Sequence, residues 1–241
     1  MDPDNIDALN SIATCIKHLA APGEDFFEAC LQLYIRALEI DPEDFETNFN
    51  VGILLYDQRK DAQKAIHYLK IAISEEKSPT AMFNLAVIYE EQGDRSKAKE
   101  TYQEVLKINP DHYKAKVNLA IILEKEGQSK EAHGFYNDAL KSKPTEARIY
   151  HNLGINMKRA GHLDDALTYY KNAMDLEPDN SVFLYNTGVL YNIRNDYDDA
   201  IEVLEKSIQN NKENVYAYLA LGDALEKKNE TMAAIYVYRD L

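Results

Sequence analysis

A period of 34 residues is the feature that most constrains what this 241-residue chain can fold into. In three successive stretches, 113–146, 147–180 and 181–214, the marks fall in the same phase. Asn118-Leu119-Ala120, Asn152-Leu153-Gly154 and Asn186-Thr187-Gly188 come first. Gly127, Gly161 and Asn195 follow at a turn position, then Ala132, Ala166 and Ala200, then Tyr136, Tyr170 and Leu204, then Ala139, Ala173 and Ser207. Pro144 and Pro178 close two of the three. The phase extends backwards over 79–112, 45–78 and 6–44, and forwards over 215–241, a shortened repeat. The first stretch carries extra residues around Ala20-Ala21-Pro22-Gly23. The chain therefore reads as a single array over 1–241, and its period must be explained before any single residue is.

Each period predicts two helices. Tyr150, Leu153, Gly154 and Met157 recur at the spacing of one helix face. Gly161 permits a sharp reversal, and Pro178 cannot continue a helix. Small residues (Gly154, Ala166, Ala173) allow two helices to approach closely. A lone pair of this kind cannot bury its apolar face, so stability has to come from stacking on its neighbours.

These marks resemble the tetratricopeptide (TPR) family, whose repeat has this length and these small and aromatic positions. Departures are the lack of Trp, and Asn48 and Lys116 where the family favours a bulky residue. The resemblance implies an all-α fold, a right-handed superhelix of about seven helix-turn-helix repeats. It also implies that the first helix of each pair lines a concave groove in which ligands lie. Position six of the repeat would then face inward, and it is Asn50, Asn84, Asn118, Asn152 and Asn186 in five consecutive repeats. An amide offers both a donor and an acceptor, which suits an extended peptide backbone of any sequence. The column is similar to the asparagine ladder of the O-GlcNAc transferase superhelix, which holds peptide main chain. Position five adds Phe49, Phe83, Val117, His151 and Tyr185. The Lys and Asn with which chaperone-binding TPRs clamp acidic tails are missing from their positions, which disfavours that ligand class.

Charge then narrows the partners. The 27 basic and 41 acidic residues leave a net charge of −14, which repels a phosphate backbone and speaks against nucleic acid. The apolar runs are far shorter than the ~18 residues a bilayer span needs, so no membrane insertion is expected. Within the groove the sign changes along the chain. Ala147–Ala160 holds Arg148, Lys158 and Arg159 with no acid, and Lys114 and Lys125 occupy matching phases one repeat earlier. Glu46, Asp57, Glu90 and Glu91 make the earlier first helices acidic. Apolar concave walls concentrate such fields. The expected ligand is a protein or peptide with an acidic part beside Arg148 and Arg159 and a basic part beside Glu90.

No P-loop, dinucleotide fingerprint, zinc-protease helix or nucleophile elbow is present, and every residue belongs to a repeat, so no enzyme and no cofactor is expected. The six histidines lie at six phases and read as surface residues; Cys15 and Cys30 read as small buried residues of a reducing compartment. The expected role is a non-catalytic interaction scaffold in the cytoplasm, with nuclear and ciliary settings open. Two alternatives are a structural arm of a large assembly, of ciliary-transport or cell-cycle-ligase type, and the targeting region of a longer glycosyltransferase. Asp2-Pro3-Asp4-Asn5 has the phase of a closing turn, so the array is expected to belong to a longer chain or complex. Ala234, Tyr238 and Leu241 would then be unusually exposed for want of a capping helix, or covered by a neighbouring molecule.

Overall fold

The computed structural model describes residues 5–20 and 25–239. Among them are fourteen helices and no strand. They run α1 (Ile6–Leu19), α2 (Phe27–Ile40), α3 (Phe45–Arg59), α4 (Ala62–Glu75), α5 (Pro79–Glu91), α6 (Arg95–Ile108) and α7 (Tyr113–Lys125). Then come α8 (Ser129–Ser142), α9 (Ala147–Arg159), α10 (Leu163–Leu176), α11 (Ser181–Arg194), α12 (Tyr197–Asn210), α13 (Val215–Lys227) and α14 (Thr231–Arg239). The fold is all-α, built of seven helix pairs. Contacts divide it into two compact units that meet in sequence at Ala115 and Lys116. The extra residues at 21–24, the closing turn at 2–4 and Leu241 lie outside the described residues.

Local chemistry sets the helix limits. The carboxylates of Asp44, Asp61 and Asp94 accept from the backbone N–H of Thr47, Lys64 and Lys97, which caps α3, α4 and α6. The turn inside each of the second to seventh pairs holds one residue with positive φ. Gly93, Gly127 and Gly161 take that conformation at 81°, 79° and 84°, where a Cβ strains most L residues. Asn195, Asn229 and Lys60 hold it in the sixth, seventh and second repeats, and asparagine is among the few side chains that visit it readily.

Within the first unit, Asn10 on α1 donates to the Thr47 hydroxyl on α3 at 2.9 Å, and Tyr56 on α3 bonds Glu91 on α5. First helices therefore lie beside first helices. Within the second unit the same order is set by Asn156 on α9 donating to Glu124 on α7 at 3.0 Å. His151 on α9 likewise stacks on Phe183 of α11 at 4.7 Å. Asn192 on α11 continues the row by donating to the carbonyl of Ala220 on α13 at 2.8 Å. The two departures from the family pattern have partners of their own. Asn48 donates to the carbonyls of Pro42 and Asp44, and the Lys116 ammonium reaches the Asp138 carbonyl and the Ser142 hydroxyl near the end of α8.

The core of each pair is a small residue beneath a large one. Leu69, Tyr102, Tyr136, Tyr170 and Leu204 are fully buried. A Cβ placed on Gly154 would lie 2.3 Å from the Tyr170 ring, and one on Gly188 would lie 2.4 Å from Leu204. The missing side chain is what lets these partners sit where they do.

Several expectations need correction. Ala234 is 1% exposed, not exposed: it is the small residue that α14 packs inward, in the cluster of Leu221 and Leu225. The exposed large apolar groups of that helix are Met232 (64%), Ile235 (46%) and Tyr236 (59%), and Tyr238 is half-buried. Cys15 is exposed, whereas Cys30 is buried with its thiol donating to the Ala13 carbonyl. His151 is not a surface residue either; it is buried between two aromatic rings.

Candidate functional site

All five asparagines of the sixth position are half-buried, with part of each side chain reachable by solvent. Their hydrogen bonds differ. The Asn84 amide donates to the Thr80 carbonyl one turn back in its own helix, at 3.0 Å. The Asn186 amide donates to the Val182 carbonyl at 2.9 Å and meets Nε2 of His151 at 3.1 Å. Its two N–H groups are thereby spent, and its carbonyl oxygen is the atom left to accept. Asn118 is engaged as well. Among the described residues, the side chains of Asn50 and Asn152 make no hydrogen bond. Asn50 lines a cleft of the first unit with Ile53, Lys17, His18 and Tyr34.

Of the fifth-position side chains two are buried and three are half-buried against neighbouring rings or core. Phe83 packs against His112 and Tyr102 at 4.9 and 5.7 Å, and Phe49 stacks on Phe45. Val117 and His151 are buried, while Tyr185 is half-buried and packs on the α12–α13 core.

Charge concentrates on α9. Arg148 and Arg159 are exposed, and Lys158 is half-buried. Burial, helped by the neighbouring Arg159, pushes the Lys158 ammonium below the usual lysine range. Burial does the same more strongly to His151, pushed down to about 4, with Lys158 and Arg148 adding repulsion. The Asn186 N–H directed at Nε2 also suits a neutral ring. Lys125 and Lys114 are exposed.

One buried carboxylate organises this end of α9. Glu124 is 6% exposed at its side chain. It accepts from the Asn156 amide at 3.0 Å and from the Tyr136 hydroxyl at 3.0 Å, with the Arg159 guanidinium 3.8 Å away. Arg159, which the repeat phase alone makes an open groove cation, is thus tethered to its own chain. The phase could not show this, because Glu124 and Asn156 stand in different repeats. The signal that was present is position twelve of the repeat. It is Glu90, Glu124 and Glu226 in three repeats but Lys158 in the fifth.

Among the described residues, no helix is long and apolar enough to cross a membrane. The family described as "Psidin, N-terminal TPR repeats region" matches residues 84–221. Human protein O-mannosyl-transferase TMTC3 is 34% identical over 74 residues, which is 31% of this chain and only 8% of that protein. Among solved structures, a tetratricopeptide repeat protein from Parabacteroides merdae superposes with a TM-score of 0.74 at 18% identity, over 97% of this chain and 91% of that one. YrrB, a TPR protein described as having an unusual peptide-binding site, gives 0.62 at 22% identity, over 78% and 96% of the two chains. Pseudomonas aeruginosa pilF gives 0.71 at 19% identity, over 82% and 89%. At these identities the structural likeness establishes the fold.

Proposed function

Since the chain belongs to the tetratricopeptide-repeat family, we propose that it is a non-catalytic interaction scaffold whose first helices hold an extended segment of a partner protein. The observation that carries this reading is α9. It presents Arg148, Lys158 and Arg159 with no carboxylate of its own, beside the Asn186 amide, whose carbonyl oxygen is left to accept. In the second unit the amides address the partner's main chain and the cations address acidic side chains. The acidic first helices of the first unit, with Glu46, Asp57, Glu90 and Glu91, suit a basic part of the same partner. Two free cysteines fit the reducing setting of the cytoplasm.

Recognition of main chain predicts a loss that ignores ligand sequence. In a protein carrying Asn118→Ala, Asn152→Ala and Asn186→Ala, every extended peptide that binds the wild type should bind roughly tenfold more weakly, the worth of one or two net hydrogen bonds. Ala favours a helix over Asn by about 0.5 kcal/mol while Asn186→Ala removes the N–H that meets His151, so circular dichroism on the same protein should show helicity kept. Fluorescence anisotropy with a panel of unrelated peptides measures the loss. Unchanged affinities across the panel would remove the amide ladder from the account.

A second reading is favoured by the TMTC3 match: the repeats would serve as the partner-selecting region of a longer glycosyltransferase. Its binding surface would be the same, and only the activity brought to the partner would differ.

A further inference from the structure

The repeats contain an internal comparison that marks one seat as empty of its counter-group. In the third repeat the buried Tyr102 hydroxyl donates to the Glu90 carboxylate at 3.1 Å. In the fourth, the buried Tyr136 hydroxyl donates to Glu124 at 3.0 Å. Each pair joins position twenty-four to position twelve of one repeat. The fifth repeat keeps the tyrosine, Tyr170, fully buried on Gly154, but position twelve is Lys158. Among the described residues the Tyr170 hydroxyl has no hydrogen-bond partner at all.

A lysine cannot repair this. An ammonium is a donor only, so the lysine at position twelve offers the tyrosine hydroxyl no acceptor in place of the glutamate of the third and fourth repeats. The nearby Glu124 does not serve, since its oxygens are held by Asn156, Tyr136 and Arg159. A buried hydroxyl left without an acceptor is costly, and so is a half-buried cation. Both costs disappear when one carboxylate lies between Tyr170 and Lys158. We infer that an acidic side chain of the partner takes this seat, supplying in trans the carboxylate that the third and fourth repeats carry in cis.

The seat deepens the proposed function and rests on its acidic-ligand reading. Three features fit it. Glu90 reaches its tyrosine from a half-buried position, so the route to this hydroxyl runs past the residue at position twelve. The flexible four-carbon stem of Lys158 can lift its ammonium onto an incoming oxygen. Arg148 on the same helix is exposed and supplies further attraction at longer range. The ligand chemistry is a Glu or Asp side chain of an extended peptide.

The test uses a fluorescein-labelled decapeptide of alternating Glu and Gly, its Gln counterpart, and three variants of the full chain. Tyr170→Phe removes only the hydroxyl; it should keep or raise Tm while weakening the Glu peptide roughly tenfold, as expected for a lost hydrogen bond to a charged group. Lys158→Glu restores the pair found in the third and fourth repeats. It should raise Tm, because Tyr170 gains its acceptor, and reduce Glu-peptide binding at least tenfold. Lys212→Glu, an equal charge reversal in the exposed turn between α12 and α13, should cost much less. A residue with a merely structural role would not move stability and binding in opposite directions. If the wild type binds the Glu peptide and Tyr170→Phe binds it equally well, the seat is overturned and the acidic-ligand reading stands. If the wild type prefers the Glu peptide no more than the Gln one, both fall.

Discussion

Replacing Gly154 by valine should destabilise the second unit by about 3 kcal/mol, the upper part of the range for overpacking a well-filled core. Even the first carbon of the new side chain would lie 2.3 Å from the Tyr170 ring. The ring cannot retreat, because it is fully buried and clustered with Ala166 and Leu190. Valine adds two methyl groups to that first carbon. Gly134→Ala is the control, since Gly134 lies within α8 with nothing inside 4 Å of a built Cβ. That change should be neutral or stabilise by about 0.5–1 kcal/mol. Urea unfolding followed by circular dichroism reads both. Equal midpoints for the two variants would mean that the close approach of α9 and α10 does not carry the stability ascribed to it.

Acid should weaken the protein through His151 before it reaches the carboxylates. In the unfolded chain this ring takes a proton near its ordinary 6.5; in the folded protein it stays neutral down to about 4. Between those values the unfolded state binds the extra proton, so stability falls as the pH is lowered through the window and is fully present above it. The separation corresponds to at most about 3 kcal/mol. His112, also held down by burial beside Phe83, acts in the same direction. Asp25, Asp94 and Asp138 are held low by hydrogen bonds from Arg59, Lys97 and Lys141. Their contributions are lost only at more acid pH. His151→Phe places at this position the residue that the second and third repeats carry. It should flatten the dependence of the urea midpoint on pH between 6.5 and 4. A slope unchanged in that variant would assign the acid sensitivity to other groups.

The fold was legible because its period repeats the same physical demands. A turn residue must tolerate positive φ, which Gly93, Gly127, Gly161 and Asn195 do. A small residue must lie under a large one, as Gly154 does under Tyr170. Such demands leave the same letters in the same phase, and a reader of the sequence can find them. The site was legible only as a set of phases. Phase says that Asn186 lies on the first helix, but not that its N–H groups go to Val182 and His151. It makes Arg159 a groove cation without showing Glu124 beside it. It places Ala234 among the last marks without showing that α14 turns it inward. Each of these facts is a contact between side chains, some of them in different repeats, and the period constrains backbone positions far more than partner choice.

The most direct test of the acidic-ligand account is the salt dependence of Glu-peptide affinity in the wild type and in a double variant carrying Arg148→Glu and Arg159→Gln. Glutamine at 159 avoids setting a second carboxylate against Glu124. The account predicts that wild-type affinity falls as salt rises, because exposed charges are screened beyond a Debye length of about 8 Å at physiological ionic strength. It predicts that the double variant binds at least tenfold more weakly at low salt and with a flatter dependence. Equal affinities for both proteins from low to physiological salt would contradict it.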